Sequence, residues 1–359
     1  RWDNSEIIDN ILALRREMAA LLGFDDYVDL ALQTRMADSA SSVTDFLVQL
    51  SSAAKPSAER EFLELTAYAS QDGIAEPQAW DIPYYSEKLR QQQYAISQED
   101  VRPWFPLDRV LMGLFDVVSN LYGLTIKQQK NIECWHPDVQ YFEIFDANGE
   151  ARGRFFLDLY ARKGKRGGAW MGDGISRKET AEGIQNPLAW LVTNFSPPMQ
   201  GRPSLLSHDE VITLFHEFGH GLHHMLTRQT VAAVSGINGV AWDAVELPSQ
   251  FLENWCWQRE SLAMVSGHYQ TGEPLPAELL DRLLAARNFQ SAMVMARQLE
   301  FALFDGRQHR EWGTAGVVSV QEMMDEVRRE VAVFMPPPYN RFQLRFSHIF
   351  AGGYVAGYY

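Results

Sequence analysis

Residues 207–226, SHDEVITLFHEFGHGLHHML, restrict the possible folds more than any other stretch of this 359-residue chain. Ser207 is followed three positions later by Glu210 and then by an apolar run, which is the capping-box pattern of a helix start. A helix that begins there places His216 and His220 on one face, with their β-carbons about 5 to 6 Å apart. Two imidazoles at that spacing can bind one metal ion at about 2.0 to 2.1 Å, so the stretch predicts a metal-binding helix.

The glutamate between these histidines points to hydrolytic chemistry. Glu217 lies one step round the helix from His216, too far to join the close pair, and can reach a water molecule on the metal. In an H-E-x-x-H pattern, zinc polarises a carbonyl and lowers the pKa of water toward about 7, while the carboxylate removes a proton. We therefore expect one Zn²⁺ held by His216 and His220, with Glu217 as general base. The alternative is a pair of histidines buried or capped in a core helix.

Three further residues of this stretch need an explanation. A glycine inside a helix costs about 1 kcal/mol relative to alanine, so we expect another backbone to pass close to Gly219. His223 or His224 could serve as a ligand if the helix had an extra turn. Supporting or surface roles are favoured, because the third ligand of a catalytic zinc is better supplied by another element.

The third ligand is sought downstream, in GVAWDAVELPSQFLENWCW. Asp243, Glu246 and Glu253 follow one another there at near-helical spacings. Any of the three could complete a site of two histidines and one carboxylate, and the others could orient the histidines. The residues alone do not choose among them.

The rest of the chain predicts a mainly helical fold. Apolar residues recur at helical spacing in NSEIIDNILALRREMAALLGF, SVTDFLVQLSSAA, AEREFLELTAYAS, DRVLMGLFDVVSNLYGL, PAELLDRLLAARNFQSAMVMARQLEFALF and SVQEMMDEVRREVAVF. VQYFEIF and RFFLDLYAR flank DANGE, where Asn148 and Gly149 suit a type I′ hairpin turn, and AWLVTNF is a further strand candidate. We expect a small antiparallel sheet beside the metal-binding helix. The glycine-rich GKRGGAWMGDG lacks phosphate-loop spacing and predicts a mobile loop.

Composition and charge indicate the domain organisation, the partners and the cellular location to expect. No linker, charge run or repeat marks a boundary, so we expect one large unit, with a helical region at 1–130 continuous with a catalytic region at 131–359. A net charge of −14 argues against nucleic-acid or membrane partners. Cys134 and Cys256 form no C-x-x-C pattern, no apolar run reaches about 18 residues, and the first residues lack a signal peptide. A cytoplasmic protein is therefore expected.

Several long stretches together resemble one known family. FHEFGHGLHHML, VELPSQFLENW and FSHIFAGGYVAGYY closely resemble the thimet oligopeptidase/oligopeptidase A family of zinc metallopeptidases, and the likeness runs the length of the chain. The resemblance implies a mainly α, zincin-like metallopeptidase catalytic domain. It implies that His216 and His220 bind zinc, that Glu217 is the base, and that Glu246 is the third ligand. Asp243, Glu253 and His223 are then expected to support these ligands.

The same resemblance assigns roles near residue 350. In this family a histidine and tyrosines of a glycine-rich loop face the metal, and they match His348, Tyr354 and Tyr358. A tyrosine hydroxyl can donate to the oxyanion that develops during hydrolysis. Gly352 and Gly353 would allow the hinge motion that brings Tyr354 to the substrate. The alternative is a packed turn without a catalytic role.

The function expected is zinc-dependent endopeptidase action on short unstructured peptides by a monomeric protein. A dipeptidyl carboxypeptidase of the same family is one alternative, and a non-catalytic zinc-containing peptide-binding fragment is another. Family members are much longer, so we expect a fragment without the family's amino-terminal half and carboxy-terminal helices. An extended peptide is expected to add to the sheet along AWLVTNF as its edge strand.

Overall fold

The computed structural model describes residues 3–314 and 319–359; the first two residues of the predicted helical region lie outside this part. In chain order the α-helices are α1 (Ser5–Leu21), α2 (Tyr27–Leu32), α3 (Ala40–Ser70), α4 (Ile82–Tyr94), α5 (Gln98–Val101), α6 (Leu107–Tyr122), α7 (His208–Met225), α8 (Leu247–Glu253), α9 (Arg259–Val265), α10 (Ala277–Ala285), α11 (Ser291–Glu311), α12 (Val320–Val331) and α13 (His348–Ala351). Short 3₁₀ turns lie at Arg102–Trp104, Ala232–Val234, Trp242–Ala244, Asn254–Trp257, Ala286–Asn288 and Phe342–Leu344.

The strands lie between α6 and α7. They are β1 (Thr125–Gln129), β2 (Gln140–Phe145), β3 (Ala151–Tyr160), β4 (Trp170–Ile175), β5 (Lys178–Thr180), β6 (Gly183–Gln185) and β7 (Leu188–Phe195). The prediction of a mainly α fold with a small sheet is confirmed.

Two compact units divide the chain. The helical unit comprises Arg1–Gln93, Ala241–Ala244 and Arg287–Tyr359, and the mixed unit comprises Tyr94–Val240 and Val245–Ala286. Each unit is built from segments that are distant in sequence. The division into a helical region at 1–130 and a catalytic region at 131–359 stays a prediction.

The helical unit is organised around α3 and α11, which pack along each other. Two apolar stretches that the sequence presents separately, on either side of Pro56, form the single 31-residue helix α3. Its first turn is closed by a reciprocal capping box between Ser39 and Ser42. The buried faces of α1, α11 and α12 meet in one cluster that includes Leu12, Phe304 and Met324, so these helices share one core.

The mixed unit contains a five-stranded sheet in the order β1-β2-β3-β7-β4, and β5 and β6 form a separate ribbon. The prediction of an antiparallel sheet holds for three of its strand pairs, but β3 and β7 are parallel. The path of the chain explains this mixture. β4 lies at the edge, separated from β3 by the width of one strand, and the chain then returns so that β7 fills the gap between them. AWLVTNF, which forms β7, is therefore an internal strand, and the prediction that it is an edge strand is wrong. β4 and β1 are the edges.

The hairpin between β2 and β3 is confirmed, but its predicted turn type is wrong. A type I′ turn needs positive φ at both central residues, and only Gly149 of the pair has it, at +82°. The Asp146 carboxylate instead accepts hydrogen bonds from the N–H groups of Asn148 and Glu150. This side chain stabilises a longer turn than the Asn-Gly pair alone predicts.

Helix α7 packs on the sheet through aromatic side chains. The ring of Phe218 lies 5.4 Å from that of Phe155 on β3 and 5.8 Å from that of Phe115 on α6. Phe155 in turn stacks on Phe142 of β2 at 5.2 Å. The sheet therefore lies beside the predicted metal-binding helix, as expected, and supports its buried face.

Within residues 3–314 and 319–359, no helix is both long and apolar enough to cross a membrane.

Candidate metal centre

Helix α7 begins where the sequence predicts. The Ser207 hydroxyl accepts from the Glu210 N–H at 3.2 Å, and the Glu210 carboxylate accepts from the Ser207 N–H at 2.8 Å. Arg102 adds an ion pair to the same carboxylate at 3.0 Å. This capping box satisfies two N–H groups that a helix start leaves without partners and sets the rotational phase of the histidines that follow.

The close approach predicted at Gly219 is confirmed. A β-carbon on Gly219 would lie 2.6 Å from the Ser249 Cα and 2.7 Å from the Pro248 carbonyl oxygen. Helix α8 can lie against α7 in this way only because Gly219 has no side chain. The packing brings Glu246, which immediately precedes α8, and Glu253, its last residue, to the histidines of α7.

Three donor atoms converge at this contact. The Glu246 Oε2 lies 3.2 Å from the His216 Nε2 and 3.1 Å from the His220 Nε2. Among the residues described, these three side chains form a group that is placed to hold one metal ion. Their ligand atoms all lie within 4.8 Å of one another. The structure thus brings Glu246 to the histidines, as the family resemblance implies.

Glu253 lies on the opposite edge of one imidazole. Its Oε1 is 2.6 Å from the His216 Nδ1. This contact leaves the Nε2 of His216 facing the Glu246 carboxylate, which is the arrangement in which a carboxylate orients a metal-binding histidine. Glu253 is therefore the one of the two predicted supporting acids that contacts a histidine of this group.

Ser249 is a contributor that the sequence analysis missed. Its hydroxyl donates to the Glu246 Oε2 at 2.9 Å or to the Glu246 carbonyl at 2.8 Å. Because the hydroxyl lies within hydrogen-bond distance of both the carboxylate and the carbonyl of one glutamate, it restricts the rotamer of Glu246. The only sequence signal is a serine three residues after the acid, which is too common to single out.

Charge at the site favours a cation. Burial lowers the pKa of His216, but hydrogen bonds with Glu246 and Glu253 outweigh this effect and raise that pKa to about 10. The negative carboxylates around the two imidazoles therefore stabilise positive charge between them. Two imidazole nitrogens and one carboxylate oxygen are the donor set of many catalytic zinc sites, so these residues fit the predicted zinc ion.

Glu217 is buried beside this group, with 6% of its surface exposed. Burial raises the pKa of its carboxyl to about 6; Glu246 acts in the same direction, and His216 and His220 oppose both. Glu217 is held by α7 itself, one residue after His216, so its backbone position relative to the histidines is set by helix geometry alone.

The two remaining histidines of α7 differ from each other. His224 is fully buried, and its Nε2 lies 3.0 Å from the Ile175 carbonyl oxygen at the end of β4. A surface role for His224 is therefore wrong, because this contact ties α7 to the sheet. His223 is half-buried, and burial lowers the pKa of its imidazole. Its supporting role stays a prediction.

Asp243 belongs to the helical unit. Its carboxylate accepts from the N–H groups of Met36, at 2.8 Å, and Ala37, at 3.0 Å, and from the Tyr359 hydroxyl at 3.2 Å. The acid that the sequence could not distinguish from Glu246 and Glu253 is thus engaged with the α2–α3 connection. Its supporting role at the metal stays a prediction.

His348, Tyr354 and Tyr358 also lie in the helical unit, close to one another. The Tyr354 ring centroid is 6.4 Å from that of His348 and 5.8 Å from that of Tyr358. The Trp242 ring packs on Tyr354 at 5.6 Å, and a β-carbon on Gly353 would come within 2.2 Å of this indole. The three predicted residues therefore form one aromatic group, and Gly353 makes room for its tryptophan.

Helix α7 carries H-E-x-x-H, lies on a small sheet and is joined by the carboxylate that precedes the next helix. This arrangement is typical of zinc-dependent peptidases. The chain belongs to Peptidase family M3, whose sequence model matches residues 1–359. The resemblance inferred from the motifs is confirmed.

Curated relatives carry related names. The chain is 55% identical over 361 residues to Oligopeptidase A of Escherichia coli (strain K12), covering 100% of this chain and 53% of that protein. It is 41% identical to the organellar oligopeptidase A, chloroplastic/mitochondrial, of Arabidopsis thaliana, covering 99% of this chain and 46% of that protein. It is 35% identical to the dipeptidyl carboxypeptidase of Escherichia coli (strain K12), covering 99% and 52%. The chain thus spans about half the length of these relatives.

Proposed function

We propose that this chain carries the zinc site of an oligopeptidase that hydrolyses short unstructured peptides in the cytoplasm. The observation that carries the proposal is the convergence of the His216 Nε2, His220 Nε2 and Glu246 Oε2 atoms within 4.8 Å. Three protein ligands leave the fourth position of a tetrahedral zinc for water or substrate, which is the property of a catalytic site. Residues 131–359 would then form the catalytic region.

Each residue of the site has a defined task in this proposal. When bound, zinc would polarise the peptide carbonyl and lower the pKa of a water molecule beside it. Glu217 takes a proton from the attacking water and passes it to the leaving amine. Glu253 keeps the His216 ring oriented through the Nδ1 contact. Ser249 does the same for the Glu246 carboxylate.

His348, Tyr354 and Tyr358 are proposed to act on the carbonyl oxygen. As that oxygen gains negative charge, a phenol hydroxyl that donates to it stabilises the transition state more than the ground state. The packing of His348 and Tyr358 around the Tyr354 ring supports a shared task.

The substrate backbone is proposed to pair with β4. This strand pairs with β7 on one side and ends the sheet on the other, and the Ile175 carbonyl at its end contacts His224 of α7. Main-chain hydrogen bonds along a sheet edge bind an extended peptide with little selectivity for its side chains. This role replaces the one that we predicted for AWLVTNF.

Endopeptidase action is preferred to dipeptidyl carboxypeptidase action. The higher identity, 55% against 35%, is to the relatives named oligopeptidase A. Removal of carboxy-terminal dipeptides would need a cationic group for the free carboxylate, whereas a peptide blocked by carboxy-terminal amidation should still be cleaved by an endopeptidase. Loss of all cleavage on amidation would favour the alternative.

The decisive experiment compares Glu217→Gln with an exposed control on α9, Glu260→Gln. We expect Glu217→Gln to retain zinc while turnover falls by about a thousandfold, since general-base catalysis is worth about 10²–10⁴. The control should match the wild type. Chelation should abolish wild-type turnover, and added zinc should restore it. Full-rate hydrolysis by metal-free protein, or by zinc-loaded Glu217→Gln, would overturn the proposal.

A further inference from the structure

The segment that carries Tyr354 and Tyr358 is held at its two ends by polar side chains of the helical unit. Near its start, Arg15 of α1 donates through Nη1 to the Ile349 carbonyl at 3.2 Å and through Nη2 to the Phe350 carbonyl at 2.6 Å. Near its end, Asp305 of α11 accepts from three successive backbone N–H groups. These belong to Ala356 at 3.1 Å, Gly357 at 2.8 Å and Tyr358 at 3.1 Å.

His309 joins the two anchors. The Arg15 Nη1 lies 2.9 Å from the His309 Nε2. Because a guanidinium only donates hydrogen bonds, Nε2 must accept, and the ring proton is on Nδ1. That Nδ1 lies 3.0 Å from the Asp305 Oδ1 and 2.9 Å from the Asp305 carbonyl oxygen. Arg15, His309 and Asp305 thus form one hydrogen-bonded chain, which we call the loop clamp.

Two of the three residues of the loop clamp are buried, and Arg15 is half-buried. Asp305 is 1% exposed, and the His309 side chain is fully buried. A carboxylate in such a position needs several donors to offset its desolvation. The three N–H groups of the loop and the imidazole provide them, so the loop and the carboxylate depend on each other.

The backbone beside Asp305 also needs outside support. Ala356 has φ +49°, in the left-handed region that a residue with a β-carbon rarely adopts because Cβ approaches the following carbonyl. Strained conformations persist where the surroundings determine them and are enriched at functional sites. Here the strained residue lies between the two tyrosines, and its N–H is bound to Asp305.

We propose that Asp305, with His309 and Arg15, is a positioning residue for hydrolysis, holding the loop so that Tyr354 and Tyr358 present their hydroxyls to the substrate. This inference rests on the proposed function, in which those tyrosines stabilise the oxyanion. Asp305 itself acts through the three N–H groups and touches no reacting atom.

The test is a double-mutant cycle in the zinc-loaded protein. In Asp305→Asn the amide offers one acceptor oxygen for the three backbone N–H groups of the loop. Its NH₂ group, itself a donor, takes the place of the second acceptor oxygen. We expect kcat to fall about tenfold with little change in KM or zinc affinity. In a Tyr354→Phe, Tyr358→Phe background, the same substitution should change kcat less than about twofold, because coupled residues are non-additive.

The matched control is Glu300→Gln, another buried acid of α11, whose partners are Arg297 and Arg328. It should lower stability without lowering kcat. If Asp305→Asn does not fold, Arg15→Lys replaces it in the cycle, since lysine keeps the charge but loses the two-pronged contact. An effect of equal size with and without the tyrosine hydroxyls would overturn the inference.

A second measurement separates this inference from the proposed function. Failure of the function would show as absence of turnover in zinc-loaded wild-type protein. The clamp is then still tested by NMR hydrogen exchange of the amides of Ala356, Gly357 and Tyr358. Faster exchange in Asp305→Asn than in Glu300→Gln supports the clamp, and equal protection in the two variants overturns it.

Discussion

The Glu253 carboxylate oxygen lies 2.6 Å from the Nδ1 of His216, while the Nε2 of the same ring faces Glu246. One imidazole is thus held between two carboxylates, one immediately before α8 and one in its last residue. A histidine fixed in this way loses less conformational freedom when its Nε2 binds a metal, and its basicity is raised. We therefore expect this contact to strengthen the binding of the proposed zinc ion.

Glu253→Gln should weaken zinc binding about tenfold, because loss of a carboxylate that orients a metal-binding histidine typically costs 10–100-fold. The amide can still accept a hydrogen bond, so the fold should be kept. Zinc affinity is measured by competition with a chromophoric chelator, with the exposed Glu260→Gln as control. Equal affinities in the two variants would contradict the role given to Glu253.

Gly219→Ala should damage the site without changing any ligand. The added methyl would lie 2.6 Å from the Ser249 Cα, so α8 must move away from α7 and take Glu246 with it. We expect a loss of about 1–3 kcal/mol in the free energy of unfolding, typical of overpacking, together with weaker zinc binding. Both are measured by denaturant titration with and without metal.

The control for this substitution is Gly306→Ala, inside α11, where an added β-carbon meets nothing within 4 Å. There alanine should leave stability unchanged or raise it by up to about 1 kcal/mol, because glycine is the poorer helix former. If both variants behaved alike, helix propensity rather than the α7–α8 contact would explain Gly219.

Asp158 predicts a pH dependence of stability. The residue is 4% exposed on β3 and accepts from Trp135, Arg162 and Lys165. Burial acts to raise the pKa of its carboxyl, but these three donors outweigh it and hold the pKa well below its usual range. The unfolded chain therefore binds the proton more readily, and this stabilisation is present above the unfolded pKa of about 3.9 and lost as the pH falls below it.

Asp158→Asn should remove that part of the pH dependence. At pH 7 we expect it to lower the free energy of unfolding by about 3 kcal/mol, because the buried Lys165 loses its partner charge. The exposed Asp116→Asn on α6 should change stability by less than about 0.5 kcal/mol. Unfolding by urea between pH 7 and pH 2 tests both, and a wild-type slope below pH 4 in Asp158→Asn would refute the assignment.

The free edge of β4 predicts a pattern in substrate binding. Successive amides of an extended peptide alternate between facing the strand and facing away. In a series of peptides with one N-methylated amide each, KM should therefore rise about fivefold at every second position near the cleaved bond, since one hydrogen bond is worth about 1 kcal/mol. KM values that do not alternate with position would exclude pairing with a sheet edge.

Local sequence predicted the elements of this fold better than their arrangement. The apolar spacing around Leu12 and the capping box of Ser207 and Glu210 depend on neighbours within one or two turns, and the corresponding helices form. The order of strands depends on contacts between distant segments. Strand β7 looked like a separate antiparallel edge strand, yet it inserts beside β3 in parallel. The position of β7 is set by its pairing with β3 and β4, which are separate segments of the chain.

The sequence by itself determined the placement of His216, Glu217 and His220 along one helix and the need for a close backbone at Gly219, because helix periodicity relates these residues directly. It left three acids open as supporting or third ligands. Only tertiary packing decided that Glu246 and Glu253 reach the histidines, while Asp243 binds the Met36 and Ala37 amides. It also revealed Asp305, whose partners in the tyrosine loop lie about fifty residues away. Contacts between segments so far apart depend on how helices pack, which no local pattern encodes.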